Sequence, residues 1–266
     1  MSPDERIISR LTDAHCHPAD DVTLESAVHN IRQSKLKTIC AMSSNLDNQQ
    51  RTAHIHEHDP QRVIPFFGIH PWFVHSIAIT SDDEPTPTKV QHYTRLFSSS
   101  SSSSSSSEPH PQLTTQMLNS LPDIVRQQDW LTQLEQRLKQ NSLAMVGEIG
   151  LDKSFKIPNP RPPCPVVSKE SLVDDPSSLK PLPKHSNLQT SIQHQLEVLK
   201  SQINLAIRLK RNVSLHCVRS TKEMVDLFNY FSDHVEGFKS INLCLHSLGA
   251  SPETVQQIQK SKFGVC

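Results

Sequence analysis

The feature that most constrains this chain is a repeated pair of patterns. A short apolar or β-branched run leads into a polar or glycine-containing string, and a stretch with helical apolar spacing follows. The runs are Ile7 to Thr12, Lys37 to Met42, Val63 to Ile69, Ala144 to Ile149, Val213 to Leu215, Ile241 to Leu245 and Phe263 to Val265, and they read as seven strands. Helical spacing shows in Leu24, Val28 and Ile31, in Leu196, Leu199, Ile203 and Ile207, and in Met224, Val225 and Phe228. Strand alternating with helix predicts an α/β fold with a parallel sheet. The 266 residues match the roughly 250 that a (β/α) barrel needs, so one TIM-like barrel domain over residues 1–266 is expected.

Two stretches depart from the pattern. Residues 76–120 hold Asp82, Asp83, Glu84, Pro85, Pro87 and an unbroken serine run from Ser98 to Ser107. That composition is too polar to bury a core, and a disordered surface insertion is expected there. Residues 153–186 contain eight prolines, which disfavour helix and ladder hydrogen bonds alike, so an extended Pro-rich loop is expected. Both follow strands at the end where a barrel carries its active-site loops.

The charges balance at 27 basic and 27 acidic residues, so no global basic field draws the chain to nucleic acid or to an anionic membrane. Any phosphate contact must be local. Six cysteines without a CxxC pair suit reduced thiols in a cytoplasmic or nuclear protein. The start, MSPDERIISRLTD, lacks a signal peptide's apolar core, and no run approaches the roughly 18 apolar residues of a membrane span. Of the six glycines, Gly68, Gly147, Gly150 and Gly249 sit in the strings that follow or end strands.

Those strings hold the chemistry. The first strand leads into Thr12-Asp13-Ala14-His15-Cys16-His17, and strand alternation turns His15 and His17 to one face, where two imidazoles can share a cation. An HxH pair alone is a weak signal: His54, His56 and His58 repeat the spacing in a polar helical stretch, where solvation is the simpler reading. Glu148 lies in the apolar run Ala144 to Asp152, where a carboxylate is costly to bury without a metal or hydrogen-bonding partners. His216 ends Val213-Ser214-Leu215-His216, and His246 ends Leu243-Cys244-Leu245-His246. Singly, each reads more simply as a satisfied core residue. Together they place five candidate ligands on four strand ends, which favours a metal centre.

These strings, with Gly68-Ile69-His70-Pro71, Gly147-Glu148-Ile149-Gly150-Leu151-Asp152, Ser214-Leu215-His216-Cys217 and Leu245-His246-Ser247, are similar in order and spacing to the motifs of TatD-type metal-dependent deoxyribonucleases of the amidohydrolase superfamily. The insertions and the His216-Cys217-Val218 string most resemble the fungal branch. The resemblance implies that His15 and His17 bind one metal, that Glu148 bridges two, that His216 and His246 complete the second site, and that His70 lies near the substrate phosphate. Two departures stand out. Lys153 occupies a position where an aromatic residue usually follows Gly-Leu-Asp. The family's further metal-binding aspartate, on an eighth strand, has no counterpart before Cys266. The barrel is therefore expected to be incomplete at its C-terminal end, and this form weakly active or inactive.

A phosphodiester repels hydroxide, so a site that hydrolyses it must supply positive charge and a nucleophile together, which two cations bridged by a carboxylate can do. The ligand set does not choose among Mg²⁺, Mn²⁺ and Zn²⁺. The expected function is divalent-metal-dependent hydrolysis with DNA as substrate and Glu148 as catalytic residue. The alternatives are hydrolysis of a small ester or amide, and an inactive barrel whose Ser-rich and Pro-rich segments bind protein partners.

Overall fold

The computed structural model describes residues 3–21, 23–81, 83–98, 113–160 and 184–260. Six parallel strands, β1 (Thr12–Cys16), β2 (Thr38–Met42), β3 (Val63–Phe67), β6 (Met145–Asp152), β7 (Val213–Val218) and β8 (Leu243–His246), form one sheet in that spatial order. A two-stranded sheet pairs β4 (Ile77–Ala78) with β5 (Val125–Arg126). Helices α2 (Leu24–Gln33), α3 (Leu46–His58), α6 (Gln127–Gln140), α7 (Ile192–Leu209) and α8 (Thr221–His234) supply the crossovers that parallel strands require. β1 and β8 are the edges of the sheet among the described residues, yet the rings of His15 on β1 and His246 on β8 approach to 3.9 Å between centroids. The sheet therefore curls round on itself as an open, incomplete (β/α) barrel.

The strand positions shift from those expected, for local reasons. Ile7 and Ile8 are not in a strand. Pro3–Ile8 is helical (α1), with proline at its start and Arg6 in its last turn, and Ile7 is 60% exposed, so its apolar residues have no sheet to join. The strand begins instead at Thr12 and carries His15 directly. The Phe263 to Val265 run lies outside the described residues.

The expectation of a disordered insertion over 76–120 is corrected at both flanks. Lys89–Ser98 forms α4 and Thr115–Ser120 forms α5. Tyr93 and Phe97 of α4 stack at 5.9 Å and pack with Leu96, Leu113, Met117, Leu121, Ile157 and Leu188 in a separate small core. The stripe Tyr93, Leu96, Phe97 is helical in period, but it is short and borders the serine run, so the surrounding polar composition masks it. Residues 99–112 lie outside the description. In the Pro-rich stretch, Pro158 and His185 form an antiparallel bridge that ties its ends together, and residues 161–183 are not described. Phe97→Ala is expected to cost ~3–5 kcal/mol, as removal of a buried aromatic does. Chemical denaturation would read this, and an unchanged midpoint would mean that the segment contributes nothing to the fold.

Three hydrogen-bonded clamps carry the fold's regularity into the loops above the sheet. Asn45 and Asn48 cap α3 reciprocally, each side chain accepting from the other's backbone N–H at 2.9–3.1 Å. The preceding Ser43 and Ser44 carbonyls accept from Glu148 N at 2.9 Å and His70 N at 2.8 Å. Two glutamines on the buried stripe of α7, two turns apart, each grip one backbone segment. Gln195 holds both N–H and C=O of Asp152 at 2.8 and 3.0 Å, and Gln202 holds those of Ile69 at 2.9 and 3.2 Å. A buried amide is tolerated here because it is satisfied by the backbone it positions.

Three histidines outside the sheet's mouth, His75, His92 and His194, are held uncharged. Burial pushes His75 down to about 3 and His194 down to about 4, and it lowers His92 as well. A folded-state pKa below the unfolded value of about 6.5 means that the unfolded chain binds more protons in acid, so stability falls as pH drops below 6.5. For His75 alone, which is 5% exposed, lowering the pH from 6.5 to 5 is expected to cost ~2 kcal/mol. Denaturant titrations of wild type and His75→Gln at both pH values would measure it. Equal pH dependence in the two proteins would contradict the assignment.

Candidate metal centre

Glu148 is the focus of the barrel mouth. It sits in β6 with 3% of its surface exposed, and five imidazoles reach its carboxylate. On Oε2, His17 Nε2 lies at 2.9 Å and His15 Nε2 at 3.4 Å. On Oε1, His246 Nε2 lies at 2.5 Å, His216 Nδ1 at 2.9 Å and His70 Nε2 at 3.4 Å. All six residues singled out from the sequence thus meet in one place. They line a cavity of about 460 Å³, with Trp72, Phe73, Asp20 and Asn45 around its rim. His54 and His58 instead face each other on α3, with their Nε2 atoms 2.9 Å apart.

The strands explain the convergence. His15 on β1, His216 on β7 and His246 at the end of β8 occupy the carboxyl-end half of their parallel strands, Glu148 lies midway along the longer β6, and His216 and His246 are direct register partners. His17 and His70 extend just past their strands. This is the end at which a (β/α) barrel collects its functional loops.

Ring orientation decides what each histidine can offer. Ser214 Oγ lies 3.4 Å from Nδ1 of both His15 and His246, so their Nε2 atoms face Glu148. His70 Nδ1 accepts the backbone N–H of Trp72 at 3.2 Å, which places the proton of a neutral His70 on Nε2. Burial lowers the His70 pKa and keeps it neutral. By distance alone His70, Glu148 and His216 could hold an ion, as could His15, Glu148 and His246. The tautomer argues otherwise for His70, whose inward Nε2 carries a proton and offers no lone pair to an ion.

Asp152 and Ser214 belong to the site and were not singled out from the sequence. Asp152 ends the Gly-Leu-Asp string and is 2% exposed, and its Oδ2 lies 3.2 Å from His216 Nε2 and accepts from Trp72 Nε1 at 2.7 Å. Its place within an apolar run, like that of Glu148, was the available signal. The aromatic expected at position 153 is replaced by Lys153, which pairs with Glu223, while Phe155 stacks on Trp72 at 5.0 Å.

The electrostatics are those of a cation site. Burial alone would raise the Glu148 pKa, but hydrogen bonds from His15, His17, His216 and His246 outweigh it and hold the carboxyl far below its ordinary range. Burial opposes charge on His216, yet Asp152 and Glu148 together raise it to about 9, and Glu148 raises His17. Imidazole nitrogens this close, with His15 and His17 Nε2 atoms 3.1 Å apart, repel through their lone pairs unless a proton or a cation lies between them. His17 Nδ1 is buried without a hydrogen bond. Nitrogen donors clustered about one buried carboxylate fit divalent-metal binding.

The free thiols among the described residues, Cys16, Cys40, Cys217 and Cys244, stand outside this set, and burial pushes Cys16 up to about 12. No helix among the described residues is long and apolar enough to cross a membrane.

Comparison with known proteins agrees with the site. The family described as TatD related DNase matches residues 12–265. The Cut9-interacting protein scn1 of Schizosaccharomyces pombe is 32% identical over 213 residues, covering 79% of this chain and 56% of that protein, so the chain spans little more than half the length of this relative. The uncharacterized deoxyribonuclease YMR262W of Saccharomyces cerevisiae is 22% identical over 258 residues, covering 96% of this chain and 72% of that protein. In fold, the chain is similar to the crystal structure of YjjV, a TatD homologue from Escherichia coli. The TM-score is 0.51 at 17% identity, over 97% of this chain and 68% of that one. A match across nearly the whole sequence, with the histidines and glutamate gathered at the barrel mouth, places this chain in the TatD family.

Proposed function

We propose that this chain is a divalent-metal-dependent hydrolase of phosphodiester bonds, with DNA as substrate. The observation that carries the reading is Glu148, buried and contacted by five imidazoles at 2.5–3.4 Å. Structures with no such function have little reason to gather so many nitrogen donors on one carboxylate, since each buried polar group must be satisfied. In this reading Glu148 would hold the ions together with His15 and His17, which face its Oε2, and His216 and His246, which face its Oε1. Divalent cations, when bound, supply positive charge against the phosphate and a nucleophile near neutral pH.

The other residues bind and orient. His70, neutral with its proton on Nε2, donates to a phosphate oxygen rather than ligating an ion. Trp72, 40% exposed at the rim and stacked on Phe155, offers a flat surface beside the phosphate. The net charge of zero supplies no global basic field, so in this reading DNA is held by local contacts. The name of the budding-yeast relative, a deoxyribonuclease, supports DNA as substrate, and that of the fission-yeast relative supports a protein partner as an additional role. The Ser-rich and Pro-rich segments are the proposed contact for such a partner, and a cytoplasmic or nuclear location follows from the same reading.

The test is metal-dependent DNA degradation by purified protein, with and without chelator, using Mg²⁺, Mn²⁺ and Zn²⁺ in turn. Degradation that stops with chelator and returns with one of these ions is expected. Degradation indifferent to chelator would contradict the proposal, as would none with any ion.

A further inference from the structure

We propose that Asp152 is a positioning residue for the metal centre: it fixes the proton of His216 on Nε2, so that Nδ1 presents its lone pair to the ions. The inference rests on the metal reading above and adds a residue to it.

The geometry leaves His216 little choice. Its Nε2 lies 3.2 Å from Asp152 Oδ2, and its Nδ1 lies 2.9 Å from Glu148 Oε1. A carboxylate only accepts, so the nitrogen facing Asp152 must carry hydrogen. The nitrogen on the other side is then the one free to ligate when His216 gives up its second proton. Without Asp152, neutral His216 could place its single proton on Nδ1 and close that position. Partners beyond the ligands commonly set the tautomer of a ligating imidazole in this way.

Asp152 is itself held on all sides, as a positioning group must be. Oδ1 accepts from Ser154 N and Ser154 Oγ, both at 2.6 Å, and from Phe155 N at 3.2 Å. Oδ2 accepts from Trp72 Nε1 at 2.7 Å in addition to meeting His216. Gln195 fixes the backbone through both N–H and C=O. Neither oxygen can turn away from its donors without breaking several hydrogen bonds at once. The arrangement joins the rim indole of Trp72, the turn at Ser154 and the inner imidazole through one buried carboxylate. A purely structural role, pinning that turn, is the competing account.

The experiments separate the two accounts. In Zn²⁺-loaded wild-type protein, ¹⁵N NMR of the His216 ring is expected to show Nε2 protonated and Nδ1 bound; the reverse assignment overturns the proposal. Asp152→Asn is expected to weaken Zn²⁺ binding by ~10–100-fold while the circular dichroism spectrum is retained. In a His216→Gln background the same change is expected to shift affinity by less than about threefold, since the residue acts through His216. Wild-type affinity in Asp152→Asn, or an equal loss in both backgrounds, overturns the proposal. If Asp152→Asn does not fold, the ring assignment in wild type decides alone. Wild-type protein that binds no divalent ion would overturn this inference together with the metal reading. Protein that binds Zn²⁺ with the expected tautomer but leaves DNA intact would overturn the DNA reading only.

Discussion

Replacing Glu148 by alanine is expected to remove most divalent-metal binding and to lower any DNA hydrolysis by about a thousandfold or more, because the ions and their ligands act as a unit. No other carboxylate contacts as many of these histidines among the described residues, so none can take over the role proposed for it. The substitution also leaves five inward-facing imidazoles without their counter-charge. His17 and His216, whose pKa values Glu148 raises, then lose a reason to be protonated. Their raised values contribute stability to the metal-free protein that is fully present below pH 6.5 and is lost as pH rises through the folded-state values, about 9 for His216. Glu148→Ala should lose part of that contribution, so its deficit in stability should be larger at pH 6.5 than at pH 10. Metal titration by calorimetry, with Glu148→Gln as a control for packing, would check the binding effect. Unchanged affinity and activity in folded Glu148→Ala protein would refute the role given to this residue.

The second large effect is expected at a residue with no functional group. Gly150 has φ +152°, and a Cβ built on it would lie 2.0 Å from the His216 carbonyl oxygen and 2.8 Å from two further backbone atoms of His216. The contact is with backbone, so no side-chain rotation relieves it. Gly150 and His216 are register partners where β6 meets β7, and the strands can pack this closely only without a side chain between them. Gly150→Ala should therefore cost more than ~4 kcal/mol, the range in which backbone strain and lost packing combine, and should displace His216 from Glu148. Gly249 is the matched control: a Cβ there meets nothing within 4 Å, so Gly249→Ala should be near neutral. Thermal unfolding of the two variants compares them directly, and equal melting temperatures would contradict the close-approach argument.

How much of this was legible in the sequence depends on the range of the interaction. His15 and His17 could be read because alternation along one strand is a local rule, and Glu148, His216 and His246 because each ends or interrupts an apolar run. What brings them within 3.4 Å of one carboxylate is the curl of the sheet, which local pattern implies only through the fold class. Asp152 and Ser214 were missed as members of the site because their partners, His216, Trp72, His15 and His246, come from other strands and loops. Gln195 and Gln202 were passed over for a similar reason: on a helix wheel they are polar residues in an apolar stripe, and only the loops they clamp explain them. The first strand was placed too early because the apolar residues Ile7, Ile8 and Leu11 resemble a strand, while the proline and charges before them signal a helix start. The helix from Lys89 to Ser98 was hidden by averaging its short apolar stripe with polar neighbours.

The central claim is that Glu148 lies between divalent cations held by the flanking histidines. It is tested most directly by anomalous diffraction from crystals loaded with Mn²⁺ or Zn²⁺. The account predicts peaks on both sides of the Glu148 carboxylate, one against His15 and His17 and the other against His216 and His246, with the His216 contact through Nδ1. A loaded crystal with no anomalous peak at Glu148, its carboxylate hydrogen-bonded only to protonated histidines, would contradict it.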